Sequence, residues 1–162
     1  MMSGSCHRVG KASKSFDDNT PGKVVLSLNP DSTPRDVIYY KVDPSGNITD
    51  EAIHEIHYFP NKKKYVEGDL KEGKREGTWY AYFENGKVNT EATYEEGKEI
   101  GSYKVYRENG KLLFSGQFDK GICTGTWLFY NPDGLVSKKI EATPTTIACG
   151  WCPKCRSLQH NH

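Results

Sequence analysis

The sequence lacks any run of about 18 consecutive apolar residues, so it predicts no transmembrane helix. Hydrophobic residues make up only 35%, which is little for one large globular core. An excess of charge of one sign is also lacking. The chain has 22 basic and 21 acidic residues, a balance that gives no reason to expect a nucleic acid partner. No P-loop, Rossmann glycine pattern or G-x-S-x-G elbow is present, so the sequence predicts a protein that is not an enzyme.

Aromatic residues and glycine are abundant instead. Aromatic residues, ten Tyr among them, make up 12% of the 162 positions, and 16 positions are Gly. Such a composition favours strands and turns over helices.

A period of 24 residues is the strongest signal in the chain. Six columns of residues recur at this step in three copies: Gly73, Gly97 and Gly121; Gly77, Gly101 and Gly125; Trp79, Tyr103 and Trp127; Tyr82, Tyr106 and Tyr130; Gly86, Gly110 and Gly134; and the very small Gly68, Ala92 and Gly116. We interpret residues 59–141 as a tandem array of one repeated unit.

Each unit contains a hairpin signal. Asn85-Gly86, Asn109-Gly110 and Asp133-Gly134 each separate two β-prone runs, and such dipeptides suit turns in which both central residues need positive φ. The sequence therefore predicts a mainly β fold, an antiparallel meander of 24-residue β-hairpin repeats forming an elongated, twisted single sheet. A lone hairpin is marginally stable in water, so each unit depends on its neighbours.

Alternation along the strands divides the aromatic residues between two faces. Trp79, Tyr103 and Trp127 share one face, and we interpret them as residues that pack the sheet. The small-residue column predicts that a ring from a neighbouring strand lies close to the backbone there. The opposite face carries a candidate surface for a protein partner or a glycan, because Tyr is a good interface anchor: Tyr80, Tyr82, Tyr106 and Tyr130.

Three further segments flank the array. Residues 1–21 are polar and predict a disordered leader. Residues 22–58 predict capping strands that include a degenerate first repeat, in which Glu55 stands where the register would place Trp79. Residues 49–58 fit either a helix or a strand, and the repeat register favours the strand. Residues 142–162 form a tail rich in Cys and His.

The tail contains one sharp cluster of potential ligands. Two residues separate Cys149 from Cys152 and Cys152 from Cys155, and with His160 these cysteines predict a Cys3His zinc site, the only cofactor that the sequence suggests. Disulfides that also use Cys123 are the alternative in an exported protein. A thiol–disulfide redox pair is a third possibility, although that motif normally opens a helix in a βαβ unit.

Cys6 lies before a polar stretch rich in Ser and Lys. This arrangement resembles the start of a mature bacterial lipoprotein, and predicts a lipid-anchored protein of the cell envelope that faces the periplasm. The alternative is a cytoplasmic protein with an unmodified cysteine in its leader.

The repeat motifs resemble the MORN-repeat variant family. They are Gly68-x8-Gly77-Thr78-Trp79-x2-Tyr82-x2-Asn85-Gly86-Lys87, its copy Gly101-Ser102-Tyr103-x2-Tyr106-x2-Asn109-Gly110-Lys111, and Gly116-x8-Gly125-Thr126-Trp127-x2-Tyr130-x3-Gly134. Bacterial relatives are often labelled YwqK-type antitoxin components, and related repeats serve as scaffolds that dimerise, bind proteins or touch lipid headgroups. The resemblance implies a non-enzymatic scaffold with a protein partner. The alternatives are an antitoxin-like partner of a toxin and a metal- or thiol-handling protein that uses the tail.

Overall fold

The structure, a computed structural model, describes residues 16–142, and this part of the chain contains strands and no helix. Its ten strands are β1 (Lys23–Leu28), β2 (Pro34–Val42), β3 (Ile48–Tyr58), β4 (Lys64–Lys71), β5 (Lys74–Tyr82), β6 (Val88–Glu95), β7 (Lys98–Tyr106), β8 (Leu112–Asp119), β9 (Ile122–Tyr130) and β10 (Val136–Glu141). All lie in one antiparallel sheet in the order β1 to β10. The predicted fold class is confirmed, and the ambiguous segment 49–58 lies in strand β3. No membrane-spanning helix is found between residues 16 and 142.

The Asn-Gly and Asp-Gly turns lie where the sequence predicts them, but their predicted conformation is wrong. In the turn after β5, Phe83 N–H donates to Lys87 O at 2.8 Å, and Gly86 N–H donates to Phe83 O at 2.8 Å. Among the residues of this turn only Gly86 has a positive φ, at 86°. The turn is therefore a three-residue loop in which a type I turn precedes a left-handed glycine. Asn85 serves it through its side chain, whose Oδ1 accepts the Lys87 N–H at 2.9 Å.

The turns with positive φ at both central residues lie at the opposite ends of the strands from the Asn-Gly and Asp-Gly turns. Glu72-Gly73, Glu96-Gly97 and Lys120-Gly121 have φ values of 52° and 72°, 49° and 81°, and 49° and 85°. In each case the two flanking residues pair directly, as Asp119 does with Ile122. These are two-residue hairpin turns whose twist matches that of the strands.

Replacing Lys120 with Asn should raise the free energy of unfolding by about 0.5 kcal/mol, because Asn tolerates the left-handed region better than Lys. Urea unfolding monitored by tryptophan fluorescence measures the change. Glu108→Asn is the matched control, since Glu108 lies in the other type of turn and is not among the residues of positive φ. An equal gain in both variants would contradict the assignment of the two turns.

The small-residue column lets aromatic rings lie directly on the backbone, as the sequence predicts. A Cβ atom added to Gly68 would lie 2.2 Å from Cδ2 of Trp79, and one added to Gly116 would lie 2.1 Å from Cδ2 of Trp127. Ala92 pairs with Tyr103 at the equivalent place. The rings of this column belong to the main cluster of buried residues: Trp79, Ala92, Tyr94, Tyr103, Val105, Phe114, Phe118, Cys123 and Trp127.

A second buried cluster lies at the β1 end of the sheet and contains Phe16, Val37, Tyr39 and Ile56. Phe16 is only 7% exposed although it belongs to the predicted leader. Tyr39 O–H donates to the backbone oxygen of Asp17 at 2.9 Å, which fixes the same segment to β2. Contact with the sheet thus extends to Phe16, whereas the sequence placed the end of the leader at residue 21.

Candidate functional site

Strand β4 shows that the two clusters lie on opposite faces of the sheet. Glu67 accepts a hydrogen bond from Tyr82 O–H at 2.5 Å, whereas the next residue, Gly68, lies under the Trp79 ring. Neighbouring residues of a strand point to opposite faces. We call the face of Trp79 the ring face and the face of Tyr82 the tyrosine face. His54 contacts Glu67, so it and the second cluster belong to the tyrosine face.

The ring face is closed to ligands at its three predicted repeat aromatics. Trp79 is 3% exposed, Tyr103 9% and Trp127 0%. The Trp79 Nε1–H donates to Asp69 O at 3.0 Å, and the Arg75 guanidinium carbon lies 4.1 Å from the ring centroid, where it covers the indole. These rings hold the sheet together.

The tyrosine face carries all four tyrosines that the sequence singled out, and each is half-buried. Their hydroxyls are tied down in the same register. Tyr82 bonds to Glu67 at 2.5 Å, Tyr106 O–H donates to Glu91 Oε2 at 3.3 Å, and a hydrogen bond of 3.3 Å joins the hydroxyls of Tyr130 and Ser115. In each repeat, a tyrosine on the second strand of a pair is therefore held by a polar residue on the strand before it.

Strand spacing sets the dimensions of this surface. Tyr82, Tyr106 and Tyr130 lie on β5, β7 and β9, so successive rings are two strands apart, about 10 Å. Tyr80 lies beside Tyr82, with ring centroids 6.3 Å apart. The tyrosine face thus presents a regular ladder about 20 Å long.

The polar partners of this ladder were missed by the sequence analysis. Glu67, Glu91 and Ser115 follow the same 24-residue step as the tyrosines they hold. The step itself is the signal that could have found them, but the column mixes two residue types. Lys104 joins it as a cation, with its Nζ 3.3 Å from Glu91 Oε1, and this hydrogen bond raises the pKa of Lys104.

Glu67 is also the centre of a polar cluster at the β3 end of the ladder. Its Oε2 accepts a hydrogen bond of 2.7 Å from Lys64 Nζ and lies 3.7 Å from Nε2 of His54. Burial acts to raise the pKa of Glu67, but the nearby His54 and the hydrogen bonds from Lys64 and Tyr82 outweigh it and lower the pKa to about 2. The same group is therefore a partly buried, ionised carboxylate at ordinary pH.

His54 is held from both sides. Its Nδ1 lies 2.6 Å from Asp69 Oδ1, and its ring stacks on Phe16 at 4.1 Å between centroids. Burial acts to lower the pKa of His54, but the hydrogen bond to Asp69 and the nearby carboxylate of Glu67 prevail and raise it.

Metal binding finds no support in the part of the chain that the structure describes. His54 contacts Glu67 and Asp69, whereas His57 contacts Asp36 and Glu55, so the two histidines serve separate clusters, in line with their three-residue spacing. Residues 16–142 contain no group of three or more His, Cys, Asp or Glu side chains able to hold a metal ion. The predicted zinc ligands Cys149, Cys152, Cys155 and His160, and the predicted lipidation site Cys6, lie outside the described residues.

Comparison with known families finds two adjacent matches. Residues 75–96 and residues 99–120 each match the family described as MORN repeat variant. The two segments fall on the hairpins β5–β6 and β7–β8. Strands β9 and β10 lie outside both matches, although their hairpin carries the same ring, glycine and tyrosine columns.

A search of curated proteins finds no match. Among solved structures, a mutant of TarM from S. aureus in complex with Fondaparinux, alpha-GlcNAc-glycerol and UDP is 17% identical, with a TM-score of 0.43 over 75% of this chain and 21% of that one. A further crystal structure of TarM gives 18% identity and a TM-score of 0.42 over the same shares. The chain thus spans about a fifth of the length of the TarM chains it matches.

Proposed function

We propose that this chain is a non-enzymatic scaffold that binds a protein partner through its tyrosine face. The observation that carries the proposal is the ladder of half-exposed rings at about 10 Å spacing, each fixed by a hydrogen bond to the strand before it. MORN repeats are in general binding or scaffold modules, and the two matched repeats contain Tyr82 and Tyr106, two of the three rings of this ladder.

Fixed tyrosines are suited to recognition. A tyrosine brings a large amphipathic area to an interface with few rotatable bonds. Because the hydroxyls of Tyr82 and Tyr106 are already held by carboxylates, their rings lose little further freedom on binding, which favours affinity. The ladder, about 20 Å long and carried by strands about nine residues long, covers roughly 600 Å², close to the ~800 Å² that each partner contributes to an ordinary protein interface.

Several finer elements of the proposal rest on sequence alone. A toxin protein is one class of partner that the resemblance suggests, and a lipid on Cys6 would hold the scaffold at a membrane. A metal- or thiol-handling role through Cys149, Cys152 and Cys155 is the alternative of a different class. This alternative role requires residues 142–162 and does not require the tyrosine face, whereas the scaffold role requires the tyrosine face.

The test begins with a photoreactive amino acid that captures the partner. Benzoylphenylalanine in place of Leu128, on the tyrosine face, should crosslink a protein that the same group in place of Thr90, on the ring face, does not. With that protein purified, Tyr106→Ala should weaken binding about tenfold or more, because a central aromatic anchor is lost. Titration calorimetry measures the dissociation constants.

The controls separate binding from folding. Thr90→Ala should leave the dissociation constant within about twofold, and the unfolding midpoint of Tyr106→Ala should show that its sheet is intact. Crosslinking confined to position 90, or an unchanged affinity in Tyr106→Ala, would remove the tyrosine face from the proposal.

A further inference from the structure

Glu91 holds its tyrosine more loosely than Glu67 does. The Tyr106 hydroxyl and the Lys104 ammonium each lie 3.3 Å from an oxygen of the Glu91 carboxylate, whereas hydrogen bonds to a carboxylate from a charged or hydroxyl donor are usually about 2.5–2.9 Å long. At Glu67 the bond from Tyr82 measures 2.5 Å. The Glu91 side chain is also more exposed, at 29%. The Glu91 carboxylate can therefore accept a further donor from outside the sheet, because an ionised carboxylate has about four acceptor positions.

Aromatic rings stand on both sides of Glu91. Tyr80 on β5 pairs directly with Glu91 on β6, and the Tyr80 ring centroid lies 6.3 Å from that of Tyr82. Tyr106 on β7 reaches the same carboxylate from the other side with its hydroxyl. Strands β5 and β7 are about 10 Å apart. A cation above Glu91 thus has a tyrosine ring within reach on each side, since the attraction of a ring for a cation extends to about 6 Å from its centroid.

Lys104 already brings a cation to this carboxylate. It lies opposite Glu91 in the pairing of β6 with β7, and its side chain is 38% exposed. The equivalent residues of the neighbouring repeats are Tyr80 and Leu128, which carry no charge. The position of Lys104 shows that a positive group is stable above Glu91. Its exposure and its long hydrogen bond allow a cation of better fit to take its place.

We propose that Glu91, Tyr80 and Tyr106 form a subsite of the tyrosine face for an arginine side chain of the protein partner. This inference rests on the proposed function and adds the chemistry of one anchor of the partner. A guanidinium is planar, so it can stack on Tyr80 while it donates two parallel N–H bonds to the Glu91 carboxylate. The Lys104 ammonium is a point charge without such a plane. A quaternary ammonium, as in a lipid headgroup, would suit the rings but has no N–H group for the carboxylate.

The test uses the full-length protein and compares arginine with its neutral analogue. N-acetylarginine methylamide is titrated into isotope-labelled protein, and the amide chemical shifts of β6 and β7 are followed by NMR. The citrulline compound has a similar shape and no charge. At equal ionic strength the arginine compound should bind about fivefold more tightly, and Glu91→Gln should remove that difference. Glu108→Gln, in an exposed turn, is the matched control and should keep it.

Lys104 provides a second test with the opposite sign. Because Lys104 competes for Glu91, Lys104→Gln should tighten binding of the arginine compound about threefold. Lys111→Gln removes the same charge from an exposed turn and should leave the affinity nearly unchanged. Equal binding of the arginine and citrulline compounds, or an equal effect of the two lysine substitutions, would overturn the proposal. Choline that binds as tightly as the arginine compound would also overturn it and would assign the subsite to a lipid headgroup.

Failure of the arginine subsite is distinguishable from failure of the proposed function. Crosslinking at Leu128 tests whether the tyrosine face binds a protein, and that result does not depend on arginine. A partner captured at Leu128, together with equal binding of the arginine and citrulline compounds, would remove the arginine subsite and leave the scaffold proposal intact.

Discussion

The Gly116→Ala protein is expected to unfold with a free energy about 3 kcal/mol lower than that of the unmodified chain, at the upper end of the cost of overpacking a core. The added Cβ would lie 2.1 Å from Cδ2 and 2.3 Å from Cε2 of Trp127. The indole has no free space to move into, because it is 0% exposed and is enclosed by Tyr103, Phe114 and Phe118, with ring centroids 5.3 to 6.2 Å away. Guanidinium chloride unfolding measures the loss.

A second substitution should remove most of that cost. The middle repeat already contains the tolerated combination, since Ala92 pairs with Tyr103 and both are buried. Trp127→Tyr should therefore make Gly116→Ala nearly neutral, so that the double variant lies within about 0.5 kcal/mol of Trp127→Tyr alone. The same loss from Gly116→Ala in both backgrounds would show that contact with the indole is not its cause.

This pairing of a small residue with a ring explains why the fold could be predicted from the sequence. Gly68, Ala92 and Gly116 recur at the same step as the rings that lie on them, so one period gives both the strand pairing and the packing. The conformation of the turns could not be obtained in this way. Asn-Gly suits a turn with two left-handed residues and equally a type I turn closed by a left-handed glycine. The choice depends on the pairing register and on the side-chain bond from Asn85 to the Lys87 N–H.

The candidate site could be predicted only in part. Alternation placed Tyr80, Tyr82, Tyr106 and Tyr130 on one face, because that inference needs nothing beyond the strand assignment. The polar side chains that hold them could not be assigned from alternation alone, since which residue a hydroxyl reaches depends on the register with the neighbouring strand. Phe16 was missed for a related reason: its ring contact with His54 spans 38 positions, and no local pattern marks one apolar residue in a polar segment.

Glu67→Gln should lower the free energy of unfolding at pH 7 by about 2–3 kcal/mol, in the range for lost hydrogen bonds to a charged group that is largely removed from water. The amide keeps one acceptor oxygen but turns an N–H group toward His54 and Lys64, which are themselves donors. Glu91→Gln is the matched control in the next repeat. The Glu91 side chain is 29% exposed against 16% for Glu67, and its ion pair with Lys104 is accessible to solvent, so the cost there should stay below about 1 kcal/mol.

The pH dependence of stability shows whether Glu67→Gln destabilises the protein by removing a charge or by disturbing side-chain packing. Because the pKa of Glu67 is lowered from 4.5 to about 2 in the folded protein, its contribution is fully present above pH 4.5 and is lost as the pH falls from 4.5 to 2. That loss should be on the order of 3 kcal/mol, and it should be absent from Glu67→Gln, so the two proteins should approach equal stability near pH 2. Asp36, whose pKa is lowered to about 2 by hydrogen bonds from Ser27 and His57, keeps a smaller acid dependence in both proteins.

His54 acts in the opposite sense: its raised pKa contributes stability below pH 6.5 that is lost as the pH rises through that pKa. Urea unfolding from pH 2 to pH 8 measures the loss of stability at low pH and the loss as the pH rises. If the free energy of unfolding changes with pH in the same way in the unmodified protein and in Glu67→Gln, Glu67 is not ionised in the folded protein.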